Sequence, residues 1–453
     1  MKFQNILTLQ NNFFQSQQTR DINFRISALK KLQDVMASNE ELLFEAIEKD
    51  FGKSKFETYT TEISFIKNEI NYFIKNIKKL SKPKRVSTNF ANWPASSFIY
   101  YDSLGTILVI GAWNYPIQLS ILPVVSALAA GNTCILKPSE LALHTSNALA
   151  KIINTNFPKE YLHVIEGGIE ETGELLKLNF DKIFFTGSPK IGKIVYEAAA
   201  KNLTPVTLEL GGKSPVIVTS TANIKVAVKR IAWGKFINAG QTCVAPDYIL
   251  VDEKIQLEFL DALKLQIKQF SYSKNAEHYT RIINLKNFKR LTSLLSNSKI
   301  YYGGEYDEEN LYIQPTILYP VDWSEEIMQD EIFGPLLPVI SFSTLEDAFA
   351  QVKNFEKPLS AYLFSTDKSE MDYFIENISF GGGCINDVVM HLSNHHLPFG
   401  GVGNAGIGNY HGDFGFKNFS HEKAILKKQT WGEPNYKYPP YTEKNKNLIK
   451  KFI

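Results

Sequence analysis

The chain has 453 residues, enough for two or three domains at the usual ~100–200 residues each. It is 44% hydrophobic and 21% charged with a net charge of +2, which is the balance of a globular protein with a sizeable core. The Lys and Arg residues are scattered, which excludes the clustered basic surface of a nucleic-acid-binding protein. Three cysteines, Cys134, Cys243 and Cys384, are too few and too far apart for a disulfide framework, and they predict a reducing, cytoplasmic setting.

The opening Met1-Lys2-Phe3-Gln4-Asn5 leads into no apolar stretch of the kind that directs secretion, so no signal peptide is expected. Residues 1–80 read as helical, because Leu32, Val35, Met36, Leu42, Leu43, Phe44, Ala46 and Ile47 recur at a 3–4 residue period. Residues 81–104 break that pattern with Pro83 and Pro94 and predict an extended arm.

From 105 to 210, short apolar runs at 105–111, 133–137, 162–166 and 182–185 alternate with helix-like segments, predicting βαβ units on a mainly parallel sheet. The most apolar segment, 117–130, is interrupted by Gln118, Ser120, Pro123 and Ser126 and reads as a buried helix. A second alternating set runs from about 214 to 390, and the chain then becomes rich in His, Asn and Gly. The tail from Tyr436 onward is polar and basic. Its last residues are too few and too charged to span a bilayer, which takes roughly 20 apolar residues, so no membrane anchor is expected.

Three glycine-bearing segments compete for a cofactor. Gly187-Ser188-Pro189-Lys190-Ile191-Gly192 follows the 182–185 run and precedes a helical pattern, where a helix N-terminus can meet a dinucleotide's phosphates. It lacks the middle glycine of the usual fingerprint. It is not a nucleotide-triphosphate loop either, because Ile194 stands where a Ser or Thr is needed after Lys193. A literal GxGxxG at 401–406 follows no strand and opens no helix, and it reads as a turn. Lys137-Pro138-Ser139-Glu140 closes the 133–137 run, with Glu140 expected to open the next helix as a carboxylate at its N-terminus.

Cys243 carries the chemistry. It sits in Asn238-Ala239-Gly240-Gln241-Thr242-Cys243, a polar loop between a helical and an extended pattern, and a loop cysteine within reach of a base can be a nucleophile. Glu209, just before Gly211-Gly212, is a candidate base, although a strand-end carboxylate paired with Lys213 is the plainer reading. Asn114, in Trp113-Asn114-Tyr115-Pro116, is either a turn residue or a donor to a developing oxyanion. Phe333 read alone is a core residue. His391, His395 and His396 lack the Cys or acidic partners of a typical zinc site, so no metal is expected.

The order Asn114, Glu209, Cys243 and then Glu331-Ile332-Phe333-Gly334-Pro335 resembles the aldehyde dehydrogenase superfamily over roughly residues 20–425, and the short length and Tyr-Pro-Pro-Tyr tail resemble its class 3 branch. The resemblance implies an α/β fold with a Rossmann-like cofactor domain (1–81 and 105–209) and an α/β catalytic domain (210–390). It also implies an oligomerisation element (82–104 and 391–430) that makes a homodimer, followed by a C-terminal tail (431–453). It implies NAD, or alternatively NADP, held by Trp113, Lys137, Glu140, Thr186, Gly187, Ser188, Gly192, Leu210, Gly211, Glu331 and Phe333. Cys243 would be the nucleophile, Glu209 the base and Asn114 an oxyanion donor, with Tyr115 and Thr242 lining the substrate pocket. The implied reaction oxidises medium-chain aliphatic or aromatic aldehydes to acids. The alternatives are a CoA-acylating enzyme, which commonly lacks the Glu209-type residue, and a catalytically idle binding protein on the same fold.

Overall fold

A computed structural model describes residues 2–450. The N-terminal region is helical as the periodicity predicts, with helices at Gln4–Gln15, Ile22–Ser38, Glu40–Phe51 and Ser64–Leu80. Leu29, Leu32, Leu43, Ile47, Ile70 and Phe73 are wholly buried, while Val35 and Leu42 stay at the core's edge. Asp21 caps the second helix by accepting from the Asn23 N–H. Gly52, at φ 66°, ends the third in the left-handed conformation that glycine adopts without a Cβ penalty. Ser54 then caps a short helix, Lys55–Thr58, which passes through a π-helical turn at Tyr59–Ile63 into Ser64–Leu80.

The expected βαβ alternation forms a six-stranded sheet in the order Gly406–Ile407, Val206–Glu209, Lys182–Thr186, Thr106–Ile110, Thr133–Lys137, Leu162–Val164. All neighbours are parallel except the Gly406–Ile407 edge, which pairs antiparallel with Leu208 and Glu209. The 401–406 turn therefore leads into a short edge strand. The fully buried Gln118–Ala129 helix covers this sheet. The chain runs outward from Thr106–Ile110 to one edge and then returns to the other side, so the order reverses between Thr106–Ile110 and Lys182–Thr186. Ligands bind open α/β sheets at the strand C-termini beside such a reversal.

Glu140 departs from expectation. The helix after the Thr133–Lys137 strand begins at Leu143, and Glu140 lies in the turn before it. The first free N–H groups of that helix are satisfied by Asp50, whose carboxylate accepts from the His144 and Thr145 N–H groups and from the Thr145 hydroxyl at 2.9, 2.9 and 2.6 Å. Glu140 folds back onto Lys137 instead.

A second, seven-stranded sheet runs Ile300–Tyr302, Thr316–Leu318, Leu336–Phe342, Tyr248–Asp252, Pro215–Val218, Ser360–Phe364, Gly382–Ile385, again parallel except at the Ile300–Tyr302 edge. The 81–104 arm is extended as predicted. Its Lys84–Val86 and Ala95–Ser103 strands join Ser420–Lys428 in an antiparallel sheet, half-exposed along all of Ala95–Ser103.

Asn132 knots these parts together. Fully buried, it accepts from the Leu104 and Gly105 N–H groups at 2.7 and 3.0 Å and donates to the Ala127 and Phe419 carbonyls at 3.0 and 2.9 Å. Asn132→Ala removes the side-chain partner of the Leu104 and Gly105 N–H groups and of the Phe419 carbonyl, while the Ala127 carbonyl keeps the residue-132 N–H at 3.1 Å; each buried group left unpaired costs about 1–3 kcal/mol. A marked drop in melting temperature is expected by calorimetry; an unchanged value would show that the knot is redundant.

Candidate active site

The C-terminal ends of the first sheet's strands deliver their loops to one place. Trp113 and Asn114 follow Thr106–Ile110, Lys137 ends its strand, and Thr186 stands in register with Glu209. The chain then leaves the first sheet through Leu210-Gly211-Gly212-Lys213-Ser214 and enters the second at Pro215. Cys243 lies in the turn that leads into Tyr248–Asp252, closed by the Ala245 N–H to the Thr242 carbonyl at 3.0 Å. The nucleophile candidate and the carboxylate candidate thus sit at a seam between two sheets.

Glu209 does not pair with Lys213. Lys213 instead binds Asp247 at 2.6 Å and donates to the Ile327 and Asp330 carbonyls. Asp247 in turn accepts from the Ile332 N–H at 2.9 Å, so this ion pair fastens the Glu331–Phe333 segment to the seam. Glu209 is 3% exposed and neither carboxylate oxygen has a hydrogen-bond partner, so burial holds its pKa well above the ordinary carboxylate value.

Cys243 is half-buried in its turn. Its thiol is pushed up to about 12, first by burial and then by the negative charges of Glu331 and Glu209. The N–H groups of residues 243 and 244 act in the opposite sense. In this arrangement the surroundings thus favour the thiol over the thiolate.

Asn114 is 4% exposed. Its Nδ2 donates to the Gln241 carbonyl at 3.0 Å, which fixes the amide and leaves its second N–H free to serve another acceptor. Asn238 Nδ2 donates to the Asn114 and Gln241 carbonyls at 2.8 and 3.1 Å. Asn238 and Ala239 hold left-handed φ values of 53° and 51°, which side chains with a Cβ adopt only at a cost. The Tyr115 hydroxyl and Thr242 Oγ1 are 2.6 Å apart, joining the two loops.

The residues proposed for a dinucleotide flank this seam. Ser188 caps Pro189–Ala200, and the Gly187 N–H donates to the Glu209 carbonyl at 3.0 Å. Gly192 packs under Leu210, where an added Cβ would come within 2.7 Å of Leu210 Cδ2. A Cβ on Gly211 would come within 2.0 Å of Glu331 Oε2. Lys137, buried, pairs with Glu140 at 2.7 Å. The Thr186 hydroxyl is buried without a partner, an orphan that a bound polar ligand would satisfy. Trp113 and Phe333 meet edge-to-face at 5.4 Å, and Phe333 is held at φ 48°. This donor set fits a dinucleotide. His391 and His395 serve elsewhere: His391 approaches Cys384 Sγ at 3.6 Å and Ser360 at 3.3 Å, and His395 binds Glu69 at 2.7 Å.

A half-buried thiol, a buried carboxylate without a partner and a fixed amide thus meet at the strand ends beside the sheet's reversal, the arrangement of a candidate active site. Residues 8–425 match the aldehyde dehydrogenase family, and the chain belongs to it. It is 49% identical over 446 residues to the 4,4'-diaponeurosporen-aldehyde dehydrogenase of Staphylococcus aureus, covering 97% of each chain. It is 44% identical over 431 residues to the dimeric NADP-preferring aldehyde dehydrogenase of Rattus norvegicus, covering 94% of this chain and 95% of the relative. A solved structure titled as the substrate-bound state of Staphylococcus aureus AldH superposes with a TM-score of 0.97 at 47% identity, covering 100% of this chain and 99% of that one. The chain is an NAD(P)-dependent aldehyde dehydrogenase that oxidises aldehydes to acids. No described helix is long and apolar enough to cross a membrane.

What sequence reading missed was the supporting cast: Asp247, Asn238 and Gln241 near the seam, and Lys53, Glu57 and Glu62 from the N-terminal helices. Buried charges among helical apolar positions are the one signal that could have marked the last three.

Glu331 gives a pH prediction. Burial first, then Asp247, raises its carboxyl from 4.5 to about 8, while the Gly212 N–H, Lys213 and Arg290 oppose the rise. Between those values the unfolded chain has lost a proton that the folded one keeps, so stability falls as pH rises from about 4.5 to about 8. In cofactor-free protein, Glu331→Gln should flatten that decline in a melting-temperature series; an unchanged slope would assign it to other groups.

Proposed function

We propose that Cys243 attacks the aldehyde carbon, that Asn114 Nδ2 and the Cys243 N–H hold the resulting oxyanion, and that Glu209 activates water to hydrolyse the thioester. The single observation that best supports this is the state of Glu209. A carboxylate with no partner, 3% exposed, at the seam beside the thiol has no structural employment, and a general base needs a raised pKa. The fixed Asn114 amide supplies a donor already oriented for charge that develops later.

Thr186, Gly187, Ser188, Gly192, Leu210 and Gly211 would hold the dinucleotide's phosphates and nicotinamide side. Lys137 and Glu140 would take the adenosine ribose, and Trp113, Glu331 and Phe333 would position the nicotinamide end. The bound cofactor supplies a hydride acceptor whose cationic ring favours the ionised forms of nearby acids. Loss of hydride from the Cys243 adduct leaves a thioester, which water activated by Glu209 cleaves to the acid and free thiol. A carboxylate at Glu140 accepts ribose hydroxyls and repels a 2′-phosphate, which supports NAD; the NADP preference of the rat relative keeps NADP as the second cofactor.

The substrate class we infer is apolar: medium-chain aliphatic or aromatic aldehydes. Tyr115 and Thr242 satisfy each other's hydroxyls and so present an apolar wall, and a relative is named for a diaponeurosporen aldehyde. The half-exposed arm sheet, with Trp93 and Trp431 packed edge-to-face on its surface, supports a homodimer built through 82–104 and 391–430, as does the dimeric relative. The absence of disulfides among Cys134, Cys243 and Cys384 supports a cytoplasmic setting.

Two substitutions test the assignment. Cys243→Ser should abolish turnover with fold and cofactor affinity retained. Glu209→Gln keeps size and hydrogen bonding but removes the base, so rapid mixing should show a burst of about one NADH per site and then a stall, with the acylated protein visible by intact mass. Steady wild-type turnover would move the base elsewhere. Rescue of the stalled variant by CoA would favour acyl transfer over hydrolysis.

A further inference from the structure

The N-terminal helices send buried charge into the back of the candidate oxyanion site. Lys53 and Glu62 form an ion pair at 2.8 Å with both side chains wholly buried. Glu62 Oε2 also accepts from the Ile117 and Gln118 N–H groups at 2.8 and 3.2 Å, at the N-terminus of the Gln118–Ala129 helix that begins just after Asn114. The Lys53 ammonium sits 4.1 Å from the centroid of the Tyr115 ring, whose hydroxyl reaches Thr242. A second carboxylate from the same segment, Glu57, accepts from the Asn238 N–H at 2.8 Å and so steadies the facing loop in its left-handed conformation.

Glu57 and Glu62 are five residues apart. In an α-helix their side chains would diverge by about 140°. The π-helical turn at Tyr59–Ile63 brings residues at that spacing back to one face, and turns of this kind recur at functional sites. No carboxylate–lysine pair is needed to bury this helix, because isosteric apolar residues often stabilise a core as well or better.

We propose that the Lys53–Glu62 pair is a positioning device for the oxyanion site, setting Asn114 through the Tyr115 ring and the helix N-terminus at Ile117 and Gln118. Neither residue touches the reacting atoms. The pair holds the Asn114–Gln118 segment from behind while Glu57 holds the Asn238–Thr242 loop in front, so the amide and the Cys243 turn keep a fixed separation. This rests on reading Asn114 as an oxyanion donor.

A double-mutant cycle tests it. Lys53→Met combined with Glu62→Gln removes both charges and keeps an acceptor for the two helix N–H groups. Its melting temperature and NAD affinity should stay near wild type, while the rate of the NADH burst falls on the order of 10- to 100-fold with the aldehyde KM nearly unchanged. In an Asn114→Ala background the same pair of changes should cost little further rate. An equal fold-loss in both backgrounds would overturn the proposal alone, because a general structural weakness acts regardless of Asn114. A wild-type burst rate in Asn114→Ala itself would overturn the oxyanion reading and this proposal with it. If the double variant fails to fold, Glu62→Gln by itself runs the same cycle, and the same two outcomes decide.

Discussion

Desolvation without compensation is the constraint around which this molecule is arranged. Glu209 is buried with no hydrogen-bond partner in the protein, Cys243 is pushed up to about 12, and Glu331 to about 8. Burial of an acid favours its neutral form and is the first cause at all three, while Asp247 adds to the rise at Glu331, and Glu331 and Glu209 add to it at Cys243. The seam therefore gathers three acids whose surroundings all favour the neutral form. A positive charge brought to such a place favours the ionised forms of its acids. An oxidised nicotinamide is a ligand of that kind, and on the proposed reading its arrival would favour ionisation of Cys243.

The backbone builds this dry seam by economical means. Parallel strands end together, so Asn114, Lys137, Thr186 and Glu209 arrive at one edge without long loops. Gly211 lets Glu331 approach where any side chain would collide with it. Lys213 and Asp247 fasten the Glu331–Phe333 segment with an ion pair that is itself almost fully buried. Strain collects nearby, at Asn238, Ala239 and Phe333, all in the left-handed region. Two of them have neighbours that hold them: Glu57 and Asn114 bind Asn238, and Trp113 packs against the Phe333 ring.

Much of this was legible in the sequence where chemistry and local pattern coincide. Strand positions at 133–137 and 182–185, the buried 117–130 helix and the seam residues Asn114, Glu209 and Cys243 could be read because each carries a periodicity or a motif order. The misreadings share one physical cause. Glu140 was expected at a helix start, yet Asp50, 94 and 95 residues away from the N–H groups it caps, does that work. The plainer alternative for Glu209, a pair with Lys213, fails for the same reason: Asp247 takes Lys213 from beyond the Cys243 turn. Partner choice between charged groups is decided by tertiary approach, and a linear pattern holds no information on which of several carboxylates arrives. The same is true of the 401–406 glycines, whose edge strand exists only because Leu208 and Glu209 offer it a pairing partner.

The N-terminal helices fit this logic. An oxyanion donor acts by being in place before charge develops, since reorientation during the reaction would consume the energy it should supply. An asparagine in a loop ahead of a proline has many alternatives open to it. Here those alternatives are removed from two sides: Gln241 and Asn238 bind the amide and its carbonyl, and Tyr115, directly after it, is clamped between a buried ammonium and Thr242. Buried charge is a costly way to stabilise a helix but an effective way to forbid neighbouring conformations, because every displaced geometry leaves an unpaired ion. On the proposed reading, the region that looks least catalytic in the sequence is what holds the Asn114 and Cys243 turns in place.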